Sequence, residues 1–213
     1  MHHNCSPEII SLMDNSDTEV LAYHQEEPKI PLRTHIVELF QTLVVFAAIG
    51  TAIYWLIAQP HKVSGSSMFP NFKDGDYIIT DKVTYRLSEP TRGDIIVFKN
   101  PRDESQDFIK RIIAVPGDRV KISSGKVYLN GKLLDEPYLN DQIVTNSGSF
   151  MKEGEEVEIA PNHFIVLGDN RSHSSDSREW GFIQMNEIIG KVFFRYWPAN
   201  EIGLYPAYYQ ITN

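Results

Sequence analysis

The chain carries a single cysteine, Cys5, among its 213 residues. No intrachain disulfide can form from it, and no zinc site can be built from thiolates. Concentrated positive charge is also missing. Lys and Arg number 20 against 28 Asp and Glu, for a net charge of −8, and no basic stripe interrupts the acidic balance. Phosphate backbones are bound by clustered Lys and Arg, so this composition argues against a nucleic acid partner. Internal repeats and low-complexity tracts are absent as well. Hydrophobic residues, at 42%, suffice for the core of one ordinary domain.

One absence is local. Residues 39–58, LFQTLVVFAAIGTAIYWLIA, hold no charge over 20 positions. As a helix rising about 1.5 Å per residue they span about 30 Å, the hydrocarbon thickness of a bilayer. The run is too long for the core of a cleavable signal peptide, its leader is acidic, and no Ala-x-Ala site follows. The expectation is an uncleaved transmembrane anchor over 36–59 behind a disordered acidic tail at 1–35. Lys29 and Arg33 before the span balance Lys62 and Lys73 after it, so charge does not orient it.

Beyond the anchor, short β-like runs alternate with turn signals. YIIT (77–80), DIIVF (94–98), DFIKRIIAV (107–115), RVKI (119–122), KVYL (126–129), EVEI (156–159), HFIVLG (163–168) and KVFFRYW (191–197) read as strands. YLNGKLL around Asn130-Gly131 is a hairpin signal. Residues 60–213 are therefore expected to form one mostly β domain, a barrel or sandwich, with 138–158 as a surface excursion.

Three stretches hold candidates for chemistry. SGSSMFPNF (64–72) offers serines just past the apolar run. LGDNRSHSSDSREWGF (167–182) places His173 among Asp169, Ser174, Ser175 and Asp176, which leaves a Ser-His-Asp arrangement open. Its spacing fails as a calcium loop, because Arg171 stands at the third position and Ser174 at the sixth. His163 reads as a packed strand residue. In DFIKRIIAV, alternation puts Lys110 on one face with Phe108, Ile112 and Ala114. Such a lysine either snorkels to water or is desolvated, and desolvation makes the amine a usable base.

Taken together, Ser67-Met68-Phe69-Pro70 after a membrane span, Gly75-Asp76, RGDIIVFKNP (92–101), FIKRIIAVPGD (108–118) and GDNRSHSSDSREWGF (168–182) resemble the type I signal peptidases. These are membrane-anchored serine proteases with a Ser-Lys dyad, and the resemblance runs from Val63 to Trp197. It implies Ser67 as nucleophile, Lys110 as general base and Ser174 as the residue orienting the lysine. It further implies that Met68, Val63, Ile78, Val97, Phe108 and Ile109 line substrate pockets. Gly168, Asp169, Asn170 and Arg171 match a loop packed against the site, and Asp176 and Arg178 match an ion pair beside it.

Two positions depart from the pattern. Asn71 replaces the usual threonine. Gly65 stands where some members have a serine that donates to the oxyanion, so only backbone N–H groups, notably that of Ser67, are available there.

The resemblance implies a β-rich catalytic domain on the outer side of a membrane, with the tail in the cytoplasm. The enzyme would cut exported preproteins after Ala-x-Ala-type sites and use neither metal nor organic cofactor. About nine residues separate Ala58 from Ser67, so the site lies within about 30 Å of the bilayer. Two other readings are a self-cleaving Ser-Lys protease and a non-enzymatic membrane-tethered β-domain.

Overall fold

The structure, a computed structural model, describes residues 31–140 and 142–205. The expectations for residues 1–30, including Cys5, lie outside the described residues. Helix α1 spans Leu32–Leu56. Its stretch Leu32–Tyr54 is long and apolar enough to cross a membrane, and its apolar side chains are exposed all round. A helix with no polar face gains nothing from water on any side. The helix starts before the expected boundary at residue 36 and ends earlier than residue 59.

Strand β1 (Ala58–Lys62) follows almost at once. It was hidden in the sequence because Ala58 closes the apolar run and Pro60 reads as a strand breaker. Pro60 is tolerated because β1 pairs only with β2 (Tyr77–Asp81), at a sheet edge.

After the short helix α2 (Thr84–Leu87), the chain continues through β3 (Ile95–Asn100), β4 (Asp103–Ala114), β5 (Arg119–Ser123), β6 (Lys126–Leu129), β7 (Lys132–Leu133), β8 (Glu156–Glu158) and β9 (His163–Leu167). It ends with helix α3 (Ser177–Trp180) and strands β10 (Ile183–Gln184), β11 (Ile188–Trp197) and β12 (Gly203–Leu204). Each of the eight runs expected as strands is one. They form two antiparallel sheets, which bears out the mostly β class. The larger runs β1-β2-β11-β3-β4-β9-β10 with β12 on β11, and the smaller runs β7-β6-β5-β8.

The hairpin at Asn130-Gly131 forms as expected, both residues having positive φ, with Tyr128 opposite Leu133. Under the smaller sheet, Val120, Ile122, Val127 and Leu129 pack with Ile113, Ile165 and Leu167 of the larger one. The excursion is more than surface. Tyr138 and Met151 belong to this same core, and Thr145 is buried too. A second cluster joins Val63, Met68 and Phe72 to Ile78, Val97 and Ile109, and so ties the serine-bearing turn to β2, β3 and β4.

Candidate active site

Ser67 sits in the connection between β1 and β2. The two ends of the loop that carries it are pinned together: Val63 N–H donates to Asp76 O at 2.8 Å, and Gly75 N–H donates to Val63 O at 3.0 Å. Gly65 N–H donates to the Asp74 carboxylate at 2.8 Å, with φ at +86°, a value glycine adopts without strain. Beyond Ser67, Phe72 N–H donates to Met68 O at 2.9 Å. Met68 and Phe72 are fully buried and anchor the turn.

Lys110 reaches this turn from β4. That strand lies between β3 and β9, and its C-terminal half is buried on both faces. Lys110 is only 4% exposed, which decides between the two readings of the strand: the amine is desolvated. Nζ lies 2.8 Å from Ser67 Oγ and donates to its neighbour's carbonyl, Ile109 O, at 2.9 Å. The Phe108 ring lies 5.1 Å away. Burial lowers the amine to a pKa of about 8, against a smaller opposing pull from Asp176 and Asp169.

Both carboxylates are themselves neutralised by arginines. Asp169, fully buried, takes a bidentate pair from Arg111 at 2.8 and 2.7 Å. Asp176 takes one from Arg178 at 2.8 and 2.9 Å and also accepts from Gly168 N–H at 3.1 Å. Arg178 further donates to the carbonyls of Arg171 and Asn146, at 2.7 and 3.2 Å. Arg171 holds Gly168 O at 2.9 Å and pairs with Glu136, just before the excursion. The loop at 168–178 is thus fixed by charge-assisted bonds, which are the stronger kind. It packs closely on the serine. A Cβ on Gly168 would collide with Ser174 Oγ and with the Ser67 carbonyl oxygen, so no larger residue fits there.

A cavity of about 310 Å³ opens in front of Ser67 and Lys110. Val63, Ile78, Val97, Phe108 and Ile109 line it. Met68 does not. Its side chain points into the core beneath, a correction that follows from its role as an anchor. Ser174 also departs from expectation. Its Oγ is buried without a hydrogen bond among the described residues, and Lys110 is engaged instead by Ser67 and Ile109 O. His173 borders the cavity, but its Nδ1 is hydrogen-bonded to Ser172 Oγ at 2.8 Å.

Several contributors were not anticipated. His61 and Asp107 make one part of the cavity wall polar, 3.9 Å apart, and Lys99 Nζ pairs with Asp107 at 2.6 Å. Burial pushes the His61 imidazole below its usual pKa, with Asp107 opposing. Asn71, at the departure from the pattern, is fully engaged. Its amide donates to Asp169 at 2.7 Å and to Tyr138 O at 3.1 Å, linking the serine-bearing turn to the buried ion pair. Arg111 stacks on the Tyr138 ring at 3.9 Å. Nothing in a strand pattern marks an arginine as the partner of a carboxylate 58 residues away.

Comparison with known proteins supplies the family. Residues 36–197 match the family described as "Signal peptidase, peptidase S26". The chain belongs to that family. It is 39% identical over 173 residues to a probable signal peptidase I-2 of Synechocystis, covering 78% of this chain and 76% of the relative. It is 34% identical over 181 residues to a signal peptidase IB of Staphylococcus aureus, covering 80% and 94%. A crystal structure of a signal peptidase I from Enterococcus faecalis aligns at 29% identity with a TM-score of 0.41, over 49% of this chain and 97% of that one. Membership makes the chain a serine endopeptidase that removes signal peptides. With the apolar helix α1 at its N-terminal side, it is a membrane-anchored enzyme.

Proposed function

We propose that Ser67 is the nucleophile and Lys110 the general base of this signal peptidase. The observation that carries the reading is the 2.8 Å contact between Ser67 Oγ and an amine only 4% exposed. A neutral amine at that distance accepts the hydroxyl proton as Oγ attacks the scissile carbonyl. The ammonium then gives its proton to the departing amine, and the acyl-enzyme is hydrolysed by water that Lys110 deprotonates. Asp169-Arg111 and Asp176-Arg178 hold the loop behind the dyad, with Gly168 and Arg171 as its close-packed parts. Ser174 fills the space against Gly168.

In this reading α1 is the anchor, the residues before it are cytoplasmic, and the catalytic domain from Ala58 onward lies outside. The support is functional, since a signal peptide is cut after its preprotein has crossed. Protease added from the outer side of sealed vesicles should digest the catalytic domain and spare the N-terminal tail. The opposite pattern contradicts the topology.

The dyad has a kinetic signature. Ser67→Ala and Lys110→Ala should each abolish cleavage of a preprotein while keeping the fold, and His173→Ala should retain most of it. Because only the neutral amine accepts the proton, kcat/KM should fall about tenfold per pH unit below the lysine pKa and level off above it. The midpoint should lie near 8. A midpoint near 6.5 with an inactive His173→Ala enzyme would assign the base to histidine instead.

Specificity for Ala-x-Ala-type sites follows from the wall of the cavity. Val63, Ile78, Val97 and Ile109 are all at most 9% exposed, so their side chains have little room to retreat. Ala, Gly or Ser should be accepted immediately before the cut. A larger residue overpacks the wall at about 1–3 kcal/mol, roughly a five- to hundredfold loss in kcat/KM. Ile109→Ala should recover part of that loss for Val or Leu. A preprotein series varied at this position tests it, and equal cleavage after Ala, Leu and Lys would contradict the pocket.

A further inference from the structure

We propose that Asn170 is a positioning residue for oxyanion stabilisation. Its side-chain amide holds the Ser66 carbonyl and so aims the Ser67 N–H at the substrate oxygen that becomes charged. This rests on the reading of Ser67 as nucleophile.

Attack by Ser67 Oγ forms the O–C bond, sends the carbonyl π electrons onto oxygen and passes the hydroxyl proton to Lys110. Collapse reforms the carbonyl and breaks the C–N bond, and the amine leaves with the proton from Lys110. Both steps pass through an oxyanion that needs fixed donors. Gly65 has no hydroxyl to offer, and its own N–H is already given to Asp74 at 2.8 Å. The Ser67 N–H, by contrast, donates to no backbone acceptor among the described residues.

What fixes that N–H is geometry. The Ser66 carbonyl and the Ser67 N–H belong to one planar trans peptide unit and point in opposite directions. Asn170 Nδ2 donates to Ser66 O at 3.1 Å. The backbone N–H of Asn170 donates to the next carbonyl, Ser67 O, at 2.9 Å. One residue therefore grips the carbonyls on both sides of the nucleophile, and the Ser67 N–H faces away from Asn170. Phe69 N–H also donates to Ser66 O at 3.1 Å, but that bond lies within the turn and moves with it, whereas Asn170 ties the unit to the loop at 168–178. Without this grip the turn can shift as a whole about the soft backbone next to Gly65, the exposed part of the loop.

Asn170 is itself held. Ser172 Oγ donates to its Oδ1 at 3.2 Å, which leaves the NH₂ end for Ser66. His173 N–H donates to its carbonyl at 3.0 Å, and its neighbours Asp169 and Arg171 are buried in ion pairs. The position lies in the GDNR stretch, whose role in the sequence reading was only to pack.

Asn170→Asp is nearly isosteric but puts a carboxylate oxygen where the donor was. It and Asn170→Ala should lower kcat about 10- to 100-fold with KM within about twofold. The pH midpoint of kcat/KM should stay where it is. Two peptide ligands separate positioning from damage. A peptide boronic acid, which forms a tetrahedral anion on Ser67, should lose affinity by the same factor as kcat/KM. The same peptide with its scissile carbonyl reduced to methylene should bind as it does to the unaltered enzyme. Unchanged kcat in Asn170→Asp, or equal affinity losses for the two peptides, would overturn the inference. Substantial activity in Ser67→Ala would instead overturn the nucleophile assignment on which it rests.

Discussion

The structure turns on one amine kept out of water. Lys110 is a cation by its ordinary chemistry, and a lysine at its usual pKa of about 10.4 is neutral in fewer than one molecule in a thousand at pH 7. Moving that pKa to about 8 raises the neutral share at pH 7 to about a tenth. The cost is about 3 kcal/mol of folding stability at neutral pH. That penalty is present below pH 8 and fades as pH rises toward the unfolded-state value, because the unfolded chain binds the extra proton. The rest of the fold has to offset it. β4 lies between β3 and β9, its buried half contributing Ile109, Ile112 and Ile113 to three separate clusters.

Two carboxylates near the amine work against its low pKa, so their neutralisation matters. Asp169 and Asp176 each face an arginine in a bidentate pair, and both pull Lys110 upward less than burial pushes it down. Breaking such a buried pair leaves an uncompensated charge, which typically costs about 3–5 kcal/mol. Asn71 adds a third hydrogen bond to Asp169 from the turn that carries Ser67. Serine and lysine therefore approach each other through a shared frame, since Arg111 follows Lys110 directly and Asn71 follows Ser67 by four residues.

The sequence made much of this legible, for identifiable reasons. Strands such as KVYL and HFIVLG announce themselves by alternation and flanking turns. Ser67 and Lys110 became candidates through motif order, which strand pattern alone could not have replaced. Lys110 could equally have snorkelled, and only the neighbouring strands and the serine turn determine that it does not. Met68 was misplaced because an apolar residue beside Ser67 looks the same in sequence whether it faces the cleft or the core. β1 was missed since its Ala58 belongs to the apolar run and its Pro60 is allowed only at an edge. The partners Arg111-Asp169 and Asn71-Asp169, 58 and 98 residues apart, needed the folded chain to meet.

The central claim is that Lys110 is a low-pKa amine in the resting enzyme, and the most direct test is its own titration. NMR of the full chain in detergent micelles, with ¹³C at the lysine side chains and the Lys110 signal identified by its loss in Lys110→Met, would follow the amine without reference to turnover. The account predicts a midpoint near 8, well apart from the remaining lysines. A Lys110 signal titrating above 10 with the others would contradict it.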